Sequence, residues 1–235
     1  MMNILFLLLL VTGAAGAQNT SGFFEKSDSF FKQYVDNGKV RYAEIKKNPK
    51  YLNDLLAEAK KAKVSPVNKE EYKAFWINAY NIATIKGIVD AYPVKSPLDI
   101  KGFFDVKKFS LGQRSVTLDQ IEKEILLGKF PEEERFHFVL VCAARSCPPI
   151  INEAYYPGKL EQQLERQTRS ALNDPGFIKV SREKVLFSEL MKWYNKDFTG
   201  KGKTLVEYVN QYREKKIPSN YEQGYYKYNW ELNDI

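Results

Sequence analysis

The chain has 235 residues, with 36 Lys and Arg against 29 Asp and Glu, one His, two Cys, 44% hydrophobic and 14% aromatic content. That length and apolar share suffice for one core of ordinary size, and charged residues spread among periodic apolar ones exclude a low-complexity or disordered composition over the bulk of the chain. The net charge of +7 favours anionic surroundings, but stretches such as "EAKKAKVS" and "REKKIP" read as solvated helix ends rather than as a polyanion site.

The opening "MMNILFLLLLVTGAAGAQ" carries an apolar core from Ile4 to Val11, then small residues with Ala15 and Ala17 in an A-x-A arrangement. It reads as a signal peptide over residues 1–17, with 18–235 following as a single exported domain, periplasmic or secreted. That apolar core is too short to span a bilayer and no later run is long enough, so no integral membrane segment is expected after cleavage. Export argues against nucleic acid as a partner.

"SDSFFKQYVDNGKV" places Phe30, Phe31, Tyr34 and Val35 at helical spacing with "DNG" as the stop, and "NPKYLNDLLAEAKKAK" carries Leu52, Leu55, Leu56 and Ala59 on one helical face. "NKEEYKAFWINAYNIATIKGIVDAYP" is apolar over much of its circumference, which predicts a deeply buried central helix ending before Pro93. "FFDVKKFSLGQRSVTLDQIEKEIL" predicts a hairpin around "LGQR" and then a helix opened by a Thr117/Gln120 capping box. "RFHFVLVC", rich in aromatic and β-branched residues, predicts a strand.

Beyond it lie an amphipathic helix ending at Pro175, a hairpin in "FIKVSREKVLFS", helices in "SELMKWYNKDF" and "TLVEYVNQYRE", and a closing strand with alternating aromatics in "YYKYNWELND". Helices outnumber strands without regular alternation. The expected class is α+β, a small mixed or antiparallel sheet packed on a long buried central helix with surrounding helices.

The chemistry-bearing residues gather in "HFVLVCAARSCPP" and "FWINAYN". Strand alternation sets His137 and Cys142 on opposite faces, so Cys147, on the loop after the strand, has the better route back to the imidazole. Asn78 and Asn81 share one face of the central helix, where a buried carboxamide either ties loops to the core or holds a polar ligand or oxyanion. Trp76 and Tyr80, four residues apart, share a face and are explained by core packing or by contact with substrate; Arg145 and Ser146 flank Cys147, with Ser146 placed to bond backbone in the turn. Two cysteines with four residues between them in an exported chain also pair readily, which would remove the nucleophile.

Phosphate-binding, dinucleotide, nucleophile-elbow and zinc-protease signatures are missing, and one His with two Cys falls short of a zinc site, so no cofactor or metal is expected. Acidic pairs such as Asp119 with Glu122 carry no spacing that separates them from solvated charge.

The blocks "AFWINAYNIATIKGIVDAYPVKSPLDI", "HFVLVCAARSCPPIINEAYYPGKLEQQLERQTRSALND" and "KWYNKDF" resemble the domain of unknown function 547 family over about residues 65–200. The resemblance implies one compact domain, with Cys142 matching the family pattern better than Cys147, and no settled activity. Two functions follow from the residues. One is a thiol-dependent hydrolase or acyltransferase on a peptide or amide, with Cys147 or Cys142 as nucleophile, His137 as base, and Asn78 or Asn81 orienting the base or stabilising the oxyanion. The other is a non-catalytic envelope module that binds a peptide, glycan or anionic ligand, with "YEQGYYKYNWELND" lining a groove.

Overall fold

The computed structural model describes residues 20–200 and 202–235. The signal peptide expected over residues 1–17 lies outside them. Helix α1 (Ser21–Tyr34) starts earlier than expected, adding Phe23 and Phe24 to its buried face. It ends where Asn37 and Gly38 take φ of 48° and 77°, reversing the chain between β1 (Val35–Asp36) and β2 (Lys39–Val40). After the short α2 (Tyr42–Lys47), α3 (Lys50–Lys61) buries the expected stripe of Leu52, Leu55 and Ala59.

Helix α4 (Lys69–Ala91) is the centre of the first core and is buried on nearly all sides from Tyr72 to Ile85. It stops at Tyr92, whose extended backbone is what a residue before proline prefers. Strands β3 (Phe109–Leu111) and β4 (Arg114–Val116) form the expected hairpin. Its turn residue Gly112 has a φ of 55° and lies so close to Trp76 that a Cβ there would stand 2.9 Å from the indole. The Thr117/Gln120 capping box opens α5 (Leu118–Gln120), which runs on as a π-helical segment, Ile121–Leu126, packed against α4. Such segments are rare and frequently accompany functional sites.

The C-terminal part begins with α6 (Leu160–Asn173). Strand β6 (Lys184–Ser188) lies between antiparallel β5 (Ile178–Ser181) and parallel β7 (Glu222–Tyr226), while α7 (Glu189–Trp193), α8 (Asn195–Thr199) and α9 (Leu205–Tyr212) fill the connection. The class is α+β, with the strands of the described residues divided among three small sheets; the largest packs with α6 and α7 into a second core containing Phe138, Ile178, Val185, Phe187 and Met191. Each such side chain, fully buried, contributes about 1.5–3 kcal/mol. Among the described residues no helix is long and apolar enough to cross a membrane.

Segment 136–147 joins the two cores. Phe136 belongs to the first and Phe138 to the second, and Cys147 packs against both. The C-terminal tail threads between them, with Val40 donating to the Asn233 carbonyl at 2.9 Å and Arg145 to the Glu231 carbonyl at 2.8 Å.

Candidate functional site

The strand expected at "RFHFVLVC" is not formed. Glu134–Phe138 is a 3₁₀ turn, and Leu140 N–H closes on the Phe136 carbonyl at 3.0 Å. The reason is a side chain that replaces a neighbouring strand. Asn81 Nδ2 donates to the Val139 carbonyl at 3.0 Å, and its Oδ1 accepts from Val141 N–H at 3.0 Å. One buried carboxamide therefore supplies both bonds that a ladder would have supplied, so β propensity is overridden by a tertiary partner.

Asn78 does the same one turn earlier on α4. Its Oδ1 accepts from Tyr155 N–H at 3.0 Å and its Nδ2 donates to the carbonyls of Tyr155 and Ala74 at 2.8 and 2.9 Å. Both amides are thus used up on backbone, and neither meets His137 as the catalytic reading required. The group that orients the imidazole is Asp197, whose Oδ2 lies 2.8 Å from His137 Nε2. The ring, only 3% exposed, lies against Tyr194 with centroids 3.9 Å apart and planes tilted by 31°, and meets the edge of Phe198.

The two sulfurs are joined to each other as a Cys142–Cys147 disulfide, so neither is a free thiol in this structure. The Tyr228 hydroxyl lies 3.2 Å from each sulfur. The loop between the cysteines is fastened to the tail. Ser146 Oγ accepts from Asn229 N–H at 2.8 Å, and the exposed Arg145 pairs with Glu231 at 3.0 Å. Arg145 and Ser146 thus belong to this seam, and Trp76 is buried in the first core; none of the three lines the cavity described next.

That cavity, of about 240 Å³, opens where the two cores meet. His137, both cysteines, Tyr80, Tyr194, Trp193, Tyr228 and Trp230 face it, together with Asp119 and Glu122 from α5 and the π segment. The imidazole and the sulfurs therefore share one hollow, as the sequence reading needed, but the sulfurs enter it oxidised. Trp193 stacks on Trp230 with centroids 5.7 Å apart, and Tyr228 lies 4.9 and 4.8 Å from the two indoles.

Electrostatically the hollow is acidic. Among the described residues no Lys or Arg lines it. Asp119 is paired with Lys123 at 2.5 Å, whereas Glu122, only 8% exposed, has an Oε1 that finds no hydrogen-bond partner. A buried oxygen left this way costs on the order of 1–3 kcal/mol. Burial first, then the Glu122 charge, pushes the Tyr80 and Tyr194 hydroxyls far above the ordinary tyrosine range, so both stay protonated. A separate shallow depression, lined by Lys60, Lys61, Lys63 and Arg114, carries cations and no carboxylate. Among the described residues no group of three His, Cys, Asp or Glu side chains is placed to hold a metal ion.

Glu122, Trp193, Tyr194 and Asp197 were not picked out by their sequence spacing. Their available signal was "KWYNKDF", whose Trp, Tyr and Asp all reach the site, and the capping box that fixes where the helix bearing Glu122 begins.

Fold and site together define an α+β protein with an aromatic and acidic cavity walled on one side by a disulfide. Residues 64–171 match the family model described as "Protein of unknown function, DUF547", so this region of the chain is a member of that family. The match takes in the central helix, Glu122, His137 and both cysteines, and it ends before "KWYNKDF", which the sequence resemblance had included. No curated protein and no solved structure matches the chain.

Proposed function

We propose that this protein is an exported, non-catalytic binding module whose cavity receives a small organic group, such as part of a peptide or glycan. The observation that carries the reading is the pairing of an unsatisfied, buried Glu122 oxygen with an adjoining wall of three mutually packed rings, Trp193, Tyr228 and Trp230. Ligand sites are concave and largely apolar, with a few polar groups that fix orientation. Trp193 is 49% exposed, which leaves a large ring surface free to be covered. The oxidised cysteines fit an oxidising compartment. An anionic ligand is not supported at this cavity, because among the described residues its lining holds two carboxylates and no Lys or Arg.

Thermal-shift screening with short peptides, cell-wall glycan fragments and acidic polymers tests the reading. Stabilisation by a peptide or glycan that disappears in a Trp193→Ala/Trp230→Ala double variant is expected. A flat response to every class, or one indifferent to the double variant, would overturn it.

A thiol-dependent hydrolase or acyltransferase acting on a peptide or amide is the second reading. It is favoured by the His137–Asp197 pair standing at the same hollow as the sulfurs. It requires an external reductant to open the disulfide first, so activity that appears only with a dithiol present, and that vanishes in both Cys→Ala variants, would establish it.

A further inference from the structure

We propose that the ligand is a cation, an ammonium group on a small apolar or ring-bearing body, seated against the Glu122 carboxylate and the faces of Trp193, Tyr228 and Trp230; this rests on the binding reading given above. Glu122 has the protein's one buried carboxylate oxygen without a hydrogen-bond partner among the described residues. The other candidates for its counter-charge are already engaged. Lys123 pairs with Asp119, and the His137 Nε2 faces Asp197. Glu122 has a neutral hydrogen-bond neighbour in Tyr194 and feels the Lys123 charge through space, but its Oε1 has no hydrogen-bond donor; a buried carboxylate oxygen in that position is costly, and a bound ammonium group would supply both the donor and the counter-charge.

The rings supply the second half of the site. Trp193, Tyr228 and Trp230 lie within 4.8–5.7 Å of one another, centroid to centroid, and all three border the cavity that Glu122 borders, so aromatic surface lines the space beside the carboxylate. Cations bind such faces well when desolvated, Trp best of all. The neighbouring Tyr80 and Tyr194 hydroxyls are held in their neutral form by burial and by Glu122 itself, so they add acceptor oxygens without adding charge.

The sign of this hollow opposes the sign of the whole. A chain with a net charge of +7 repels cations at long range, yet here it offers two carboxylates and no Lys or Arg. Selection for an anion would have produced the reverse lining, which the protein does carry at Lys60, Lys61, Lys63 and Arg114, far poorer in aromatic rings.

Isothermal titration of the oxidised protein with two matched pairs of probes tests the proposal: choline against its neutral isostere 3,3-dimethyl-1-butanol, and glucosamine against N-acetylglucosamine. The expected result is that at least one cationic probe binds about tenfold or more tightly than its neutral counterpart, and that Glu122→Gln removes the difference. The pair that responds distinguishes a quaternary ammonium from an amino sugar. Equal binding within both pairs would overturn the cation proposal while leaving the binding reading intact. Binding by none of the four would overturn the proposal, and a flat thermal-shift screen besides would remove the reading beneath it. Should Glu122→Gln fail to fold, judged by near-ultraviolet circular dichroism, the wild-type ratios decide.

Discussion

His137 Nε2 lies 2.8 Å from Asp197 Oδ2, joining a 3₁₀ turn that ends the first core to a short helix of the second, 60 residues further along the chain. The pair is half hidden: the ring is 3% exposed, while the carboxylate keeps contact with solvent. Asp197→Ala strips a buried ring nitrogen of its partner and is expected to lower stability by about 1–2 kcal/mol, with Asp197→Asn costing less. Urea denaturation measures both. Because the chain has one histidine, its imidazole resonances report the same change without ambiguity.

Asn81 is the more sensitive position. Asn81→Leu fills the same space but leaves the Val139 carbonyl and the Val141 N–H buried with no partner. Two such groups at about 1–3 kcal/mol each predict a loss of roughly 3 kcal/mol, well above the usual effect of a single substitution. A denaturation midpoint close to that of the wild type would show that segment 139–141 finds other partners.

These two residues also show how far the sequence could be read. The central helix, its stop before Pro93, the "LGQR" hairpin and the capping box at Thr117 all follow from local patterns, because their hydrogen bonds close within the segment or with its nearest neighbour. "RFHFVLVC" misled for the opposite reason: the Val139 carbonyl and Val141 N–H bond to Asn81, 58 and 60 residues earlier, and no local pattern announces that. The cavity was half legible. His137, Cys142, Cys147 and Tyr80 drew notice as rare or motif residues, and the C-terminal aromatics were expected to line a groove, as Tyr228 and Trp230 do. Glu122 was passed over because its spacing to Asp119 is that of any two solvated acids on a helix; what sets it apart is burial, which only the packing of the π segment against α4 creates.

The acid limb of stability is expected to depend on Arg135. Its guanidinium donates to Glu161 at 2.6 and 2.9 Å and holds that carboxyl below the ordinary glutamate range, through these hydrogen bonds first and charge second. A lowered pKa contributes stability that is complete above the unfolded value near pH 4.3 and is lost as the pH falls through the folded value. Arg135→Met removes this part of the pH dependence, so its stability should fall less steeply than the wild type's below about pH 4. Glu161 is largely exposed, and the difference should shrink in high salt.

The disulfide closes a short loop, for which chain entropy predicts a stabilisation of about 2 kcal/mol. Cys142→Ala/Cys147→Ala should therefore lower stability by about that amount while ligand binding at the Trp193–Trp230 wall persists. Thiol titration of the denatured, unreduced protein should find no free sulfhydryl. Two free sulfhydryls in protein recovered from an oxidising compartment would favour the thiol mechanism over the binding reading.

The most direct test of the account follows the indole N–H signals of Trp76, Trp193 and Trp230 by nuclear magnetic resonance while choline or glucosamine is added. The account predicts progressive, saturable shifts of Trp193 and Trp230, with Trp76, buried in the first core, unmoved. Saturating addition of both compounds with the Trp193 and Trp230 signals fixed in place would contradict it.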